Sequence, residues 1–294
     1  MVVMRPVVWL IPLLALLALP LALGHDPSFG NARIGDSAKS WAVYASLPPD
    51  GTGVHVIHAE AGQRLTIDVY TPAAVAWVPD ARLEGPGVAT VPASVLPVPR
   101  ISFEPFAPQA LRFVSSLAFV APVSGDYALV ITGAGGPYGF SVGEREAFSA
   151  ADWLFLPWRI HETHVWDGQP AWLLFAPIAV GAAAGAWRGR SLARGGAGAL
   201  VGSAVVVMGE LVLAVARAGL DAGVLVTLGF VVAQLAAAAL AWRARGRALL
   251  VVAAVLGVLA WGGLVVGPAA ILLDAFLPRS APVSSPFRRA GRTR

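Results

Sequence analysis

The chain has 294 residues, of which 57% are hydrophobic and only 13% charged, about half the charged share of an average soluble domain, so part of it must face lipid. Twenty-one basic against 17 acidic residues give a net charge of +4, and the excess gathers in short loops and the tail of the C-terminal half. Membrane topology explains that placement and no basic face interleaved with aromatics is present, which argues against a nucleic-acid partner; the absence of cysteine excludes disulfides, cysteine metal sites and a thiol nucleophile.

Residues 1–24 read as a signal peptide. Arg5 supplies the positive start, Val7 to Leu23 the apolar stretch, and Ala22-Leu23-Gly24 the small residues before a cleavage point. An uncleaved signal anchor is the alternative, and both readings put residue 25 outside the cytoplasm. Cleavage would make His25 the first residue of the mature chain.

From 25 to 146 short β-prone runs alternate with turns. Strands are predicted at Trp41–Ser46, Val54–Ala59, Arg64–Tyr70, Ala81–Glu84, Leu111–Phe119, Asp126–Thr132 and Tyr138–Val142. In Leu65-Thr66-Ile67-Asp68-Val69 the apolar residues alternate, which buries one face and wets the other. Pro48-Pro49-Asp50-Gly51, Ala61-Gly62, Gly85-Pro86-Gly87, Ser124-Gly125-Asp126 and Gly133 to Gly136 supply the reversals. This is the pattern of an antiparallel all-β sandwich.

Several of these pieces carry a family likeness. Ser40-Trp41-Ala42-Val43-Tyr44, the run from Val54 to Leu65, Leu83 to Gly87, Ala121 to Val130, and Gly136 to Gly143 together resemble the pre-peptidase C-terminal type β-sandwich, over about residues 36–143. The resemblance implies a non-catalytic accessory module of a secreted protein. The chain departs from it at Val91 to Pro108, where Pro92, Pro97, Pro99, Pro105 and Pro108 exclude a central strand; a binding loop or a cover over a sheet edge is expected instead.

Residues 147–169 form an aromatic collar, with Phe148, Trp153, Phe155, Trp158 and Trp166 among charged neighbours, as at a membrane interface. A ligand groove is the alternative. From 170 to 277 four apolar stretches follow, Pro170–Trp187, Ala197–Ala216, Ala222–Trp242 and Ala248–Leu277, which predict an all-α transmembrane bundle of about four helices, the last kinked near Gly267-Pro268. Arg188, Arg190 and Arg194 after the first stretch, and Arg243, Arg245 and Arg247 after the third, should lie in the cytoplasm, which puts the sandwich outside. An even number of crossings would send the basic tail, 278–294, outside as well. Five arginines there oppose that, so either the last stretch does not cross or the first helices dominate.

Within the spans Glu210 is a costly acid that needs a partner, and Gln234 is the plausible one. The pair reads either as a helix–helix hydrogen bond or as a proton or cation site. The five histidines, His25, His55, His58, His161 and His164, lie outside the spans and are the metal candidates. A mature N-terminal His25 would offer amine and imidazole to Cu(II), and so resembles the N-terminal histidine of periplasmic copper-binding sandwiches. His55 and His58, three apart on a strand, point to opposite faces; His161 and His164, three apart on a helix, share one. No phosphate-cradling loop and no nucleophile elbow occurs, and His161-Glu162-Thr163-His164 is one residue short of the zinc-protease spacing. The expected function is therefore non-enzymatic. It is a multi-pass membrane protein in contact with lipid, presenting an extracytoplasmic module to a protein or glycan partner or within a membrane complex. An extracytoplasmic copper-binding protein and a small transporter built on Glu210 are the alternatives.

Overall fold

A computed structural model describes residues 26–278, apart from 146 and 148; the signal segment with His25, and the tail beyond 278, lie outside the described residues. Eleven strands come first: β1 (Asp26–Phe29), β2 (Arg33–Ile34), β3 (Trp41–Leu47), β4 (Thr52–Ala59), β5 (Arg64–Pro72), β6 (Asp80–Gly85), β7 (Val88–Pro92), β8 (Ser94–Glu104), β9 (Gln109–Val120), β10 (Gly125–Thr132) and β11 (Gly136–Val142). They form a six-stranded sheet, β1-β3-β11-β5-β9-β8, and a five-stranded sheet, β2-β4-β10-β6-β7. Ile57, Leu65, Ile67, Leu83, Leu129, Ile131 and Phe140 fill the space between the sheets. Each such side chain contributes about 1.5–3 kcal/mol on burial.

All seven expected strands are present, and two features depart from a purely antiparallel sandwich. The segment before Trp41 adds β1 beside β3 and β2 beside β4, both in parallel. The proline-rich excursion is neither loop nor cover: it is β8, the edge strand of the six-stranded sheet. Its pairing with β9 jumps from Val95–Ser115 to Arg100–Phe113, so Leu96 to Pro99 bulge outward. An edge position and a bulge are where a strand tolerates proline, since no inward N–H is needed there.

Six α-helices follow among the described residues: α1 (Ala150–Trp166), α2 (Ala171–Gly189), α3 (Leu192–Ala218), α4 (Gly223–Arg243), α5 (Arg247–Leu259) and α6 (Val266–Phe276). The collar is thus helical. Ser149 caps α1 through a reciprocal bond pair with Asp152. The helix lies on the six-stranded sheet, where Trp166 Nε1 donates to Ala45 O at 2.8 Å and Arg159 donates to Pro27 O at 3.2 Å. Ala42, Tyr44 and Tyr70 are buried on this outer face, and Trp166 packs on them. The central strands are therefore covered on both sides, and the continuous apolar run Ala42 to Ala45 is what such a strand requires.

Three helices, α2, α3 and α4, with 19, 27 and 21 residues, are long and apolar enough to cross a membrane. The fourth expected span is not one helix. It breaks at a 3₁₀ turn, Gly262–Val265, with positive φ at Trp261, Leu264 and Val265. Gly267 and Pro268 fall in the first turn of α6, where proline costs no hydrogen bond, so the kink precedes its expected place. At about 20 Å and 16 Å, α5 and α6 are each too short to cross. Gly257 meets Leu200 of α3, Gly267 meets Gly196, and Ile271 and Ala275 share a cluster with Ala193 and Ala197. Rising residue numbers in α6 track falling numbers in α3. The segment therefore starts beside the N-terminal end of α3, near Arg194, reverses at Trp261 to Val265 and runs back to that end.

Candidate functional site

The sandwich histidines are committed to structure. His55 is fully buried between the sheets; its Nδ1 accepts the Ala32 N–H at 3.1 Å and its Nε2 pairs with Tyr138 Oη at 2.8 Å. Burial pushes its imidazole down to about 4. His58 projects from the opposite face of β4 and meets Asp126 at 2.9 Å; that hydrogen bond raises it. β1, which follows His25, belongs to the other sheet. His55 has neither ring nitrogen to spare for a metal held by the N-terminus.

The chemistry gathers instead where the sandwich meets the helices. The β8–β9 turn carries Pro105 and Phe106 into the helix ends. Thr227 Oγ1 of α4 donates to Pro105 O at 2.6 Å. Phe106 packs against Phe230 and Trp261, and Phe103 lies among Leu211, Ala214 and Leu228. Trp261 stacks on Phe230 at 4.7 Å and meets Trp153 of α1 at 4.9 Å.

Beneath this turn lies a buried polar cluster. Glu210 of α3 is 6% exposed. Its carboxylate accepts from the Gln169 amide and has His164 Nδ1 at 3.3 Å, a contact poorly aligned for a hydrogen bond. Gln234 is therefore not its hydrogen-bond partner: the Gln234 amide donates to Ala260 O at 2.9 Å, a carbonyl released by the helix break. His161 Nδ1 donates to Pro157 O at 2.7 Å, which leaves Nε2 as an acceptor. Burial lowers His161, and burial with the neighbouring His161 lowers His164 to about 3, shifts that favour the neutral rings.

His161, His164, Glu210 and Gln234 line one cavity of about 30 Å³, with Phe106, Ile160 and Trp261 in its wall. His161 Nε2, Gln234 Oε1 and Trp261 Nε1 are buried without a partner in the protein. Phe106, Ile160 and Trp261 also wall a second cleft of about 80 Å³, bounded by Tyr44, Tyr70, Phe113, Trp153 and Glu104. Among the described residues no three His, Cys, Asp or Glu side chains are arranged to hold a metal ion. Gln169 and Trp261 were invisible as site residues in sequence. The one signal was a lone amide just ahead of an apolar stretch, 41 residues from the acid it meets.

No family model matches the chain, and no curated protein matches it. Among solved structures it is similar to PliG of Salmonella Typhimurium and PliG of Aeromonas hydrophila, periplasmic lysozyme inhibitors of g-type lysozyme, at 14% and 15% identity with TM-scores of 0.27 and 0.26. The matches cover 39% and 40% of this chain and 97% of each inhibitor. Similarity this remote carries no argument about what the chain does.

Proposed function

We propose that this chain is a multi-pass membrane protein whose sandwich stands outside the cytoplasm as a non-catalytic binding module, for a protein or glycan partner or within a larger membrane complex. The supporting observation is the seat of the sandwich. The β8–β9 turn is wedged among α3, α4 and Trp261, and α1 is bonded across the six-stranded sheet. A module fixed this way presents a preorganised surface and loses little freedom on binding. We keep the pre-peptidase C-terminal type reading for the sandwich.

Trp172 and Trp187, 67% and 84% exposed, lie one toward each end of α2, as aromatic anchors at two interfaces would. The arginines after α2 and α4 support a cytoplasmic end there, and α6 runs back toward that end, which supports a cytoplasmic side for the chain that follows it. On the sandwich, the β8 bulge offers Val98, 77% exposed, as an apolar contact. A photo-reactive residue at Val98 should give a discrete adduct in native membranes. An adduct pattern no different from that at the helix position Val212 would sink the partner reading.

One observation favours a second reading. Glu210 shares its cavity with His161, His164 and Gln234, as a bundle that handles a small cation would need. Cation flux in proteoliposomes, lost in Glu210→Gln, tests it.

A further inference from the structure

Glu210, His161 and Gln234 line the 30 Å³ cavity and carry three acceptors, the Glu210 carboxylate, His161 Nε2 and Gln234 Oε1, beside the Trp261 N–H. Two of these acceptors, His161 Nε2 and Gln234 Oε1, are buried and have no partner in the protein. Their roles follow from bonds made elsewhere, since His161 spends its ring hydrogen on Pro157 O, and the Gln234 NH2 group turns toward Ala260 O, to which it gives one N–H. A buried acceptor set of this kind is costly until a donor fills it.

The donor set narrows the ligand. An anion would meet the Glu210 carboxylate with no Lys or Arg in the cavity wall. A chelated metal lacks a group of three ligands among the described residues. One water could serve His161 Nε2, Gln234 Oε1 and the Trp261 N–H, but it would leave the charge of the buried Glu210 carboxylate uncompensated. A primary ammonium has three N–H donors and no acceptor, and its charge compensates the carboxylate. Its carbon substituent needs an apolar neighbour. Phe106, Ile160 and Trp261 supply one, and they also wall the aromatic cleft of about 80 Å³. Aromatic faces tolerate both an ammonium and its alkyl chain. The cavity admits about one ammonium-sized group, and the cleft has room for a short body.

The geometry points to a binding site for a small primary amine, with the ammonium held by Glu210, His161 and Gln234 and the alkyl body against Phe106, Ile160 and Trp261. This deepens the second reading in taking Glu210 as a ligand-binding group, and it requires no transport.

Butylamine and 1-butanol share one alkyl body and differ in the head. Each is titrated, at one fixed pH, into the full chain in detergent, followed by tryptophan fluorescence and by calorimetry. Butylamine should saturate and bind at least about tenfold tighter than 1-butanol, the difference a charge-assisted head group makes. Glu210→Gln should weaken butylamine at least about tenfold and leave 1-butanol unchanged. If that variant does not fold, Gln234→Leu should weaken the amine in the same sense. Equal affinity for amine and alcohol, no saturable amine binding, or amine binding indifferent to the folded variant would each overturn the site. Amine binding without flux retains it and removes the transport reading; cation flux without amine binding does the reverse.

Discussion

His55 and Glu210 are both buried ionisable residues, and the structure treats them differently. His55 is closed off: two hydrogen bonds use both ring nitrogens, and apolar side chains surround it. Its cost shows only in acid. The unfolded imidazole titrates near 6.5 and the folded one near 4, so between those values the unfolded chain binds a proton that the folded chain refuses. His55 therefore costs nothing above pH 6.5. Below it stability falls, by about 3 kcal/mol in all, and the loss is complete below pH 4. His55→Phe should flatten this limb of a denaturant-midpoint profile, while a profile as steep as the parent's would show that other groups carry it. Glu210 is left open by comparison, since it borders a cavity with unpartnered acceptors. The i, i+3 spacing of His161 and His164 put both on one helix face, but nothing in the spacing aimed that face at residue 210.

At the scale of elements, the closest contact is between α2 and α3. A Cβ built on Gly181 would lie 2.2 Å from Gly198 O, and one on Gly185 would lie 2.1 Å from Arg194 O. These contacts are with backbone, which cannot move aside without separating the helices. Gly181→Ala should thus destabilise the chain in detergent by about 1–3 kcal/mol. Gly229 of α4 meets nothing within 4 Å, so Gly229→Ala should be neutral or gain about 0.5–1 kcal/mol from helix propensity. Equal thermal shifts for the two would refute the packing argument. The proline-rich excursion and the last apolar stretch make the same point from the other side. Proline told where β8 could not be, and only the sheet order told where it is. Gly267-Pro268 signalled an interruption, yet the chain turns at Trp261 to Val265, where Trp261 reaches Phe230, Phe106 and Trp153.

For the whole molecule, the re-entrant segment changes the topology. The proposed topology, in which α2, α3 and α4 cross and α5 and α6 form a returning hairpin, predicts that the sandwich and the C-terminus lie on opposite sides, as the arginines of the tail would also require. The native chain has no cysteine, so single-cysteine variants report without background. Val98→Cys should react with an impermeant thiol reagent on intact cells. Leu192→Cys, Gly246→Cys and a cysteine added after Arg294 should react only once the membrane is opened. Labelling of the C-terminal cysteine on intact cells would mean that α5 and α6 cross together after all.

Residue type and period were enough for much of this protein. Alternation and turn residues located seven strands, apolar length located α2, α3 and α4, and the absence of cysteine removed whole classes of chemistry, because each of these is a local property of the chain. Contacts between distant segments were not legible. That Gln169, Glu210, Gln234 and Trp261 meet under the β8–β9 turn depends on a sandwich seated on helix ends and on a helix broken at Trp261 to Val265. Those are decided by which apolar faces can be buried together, and neither periodicity nor spacing along one chain encodes the partner face.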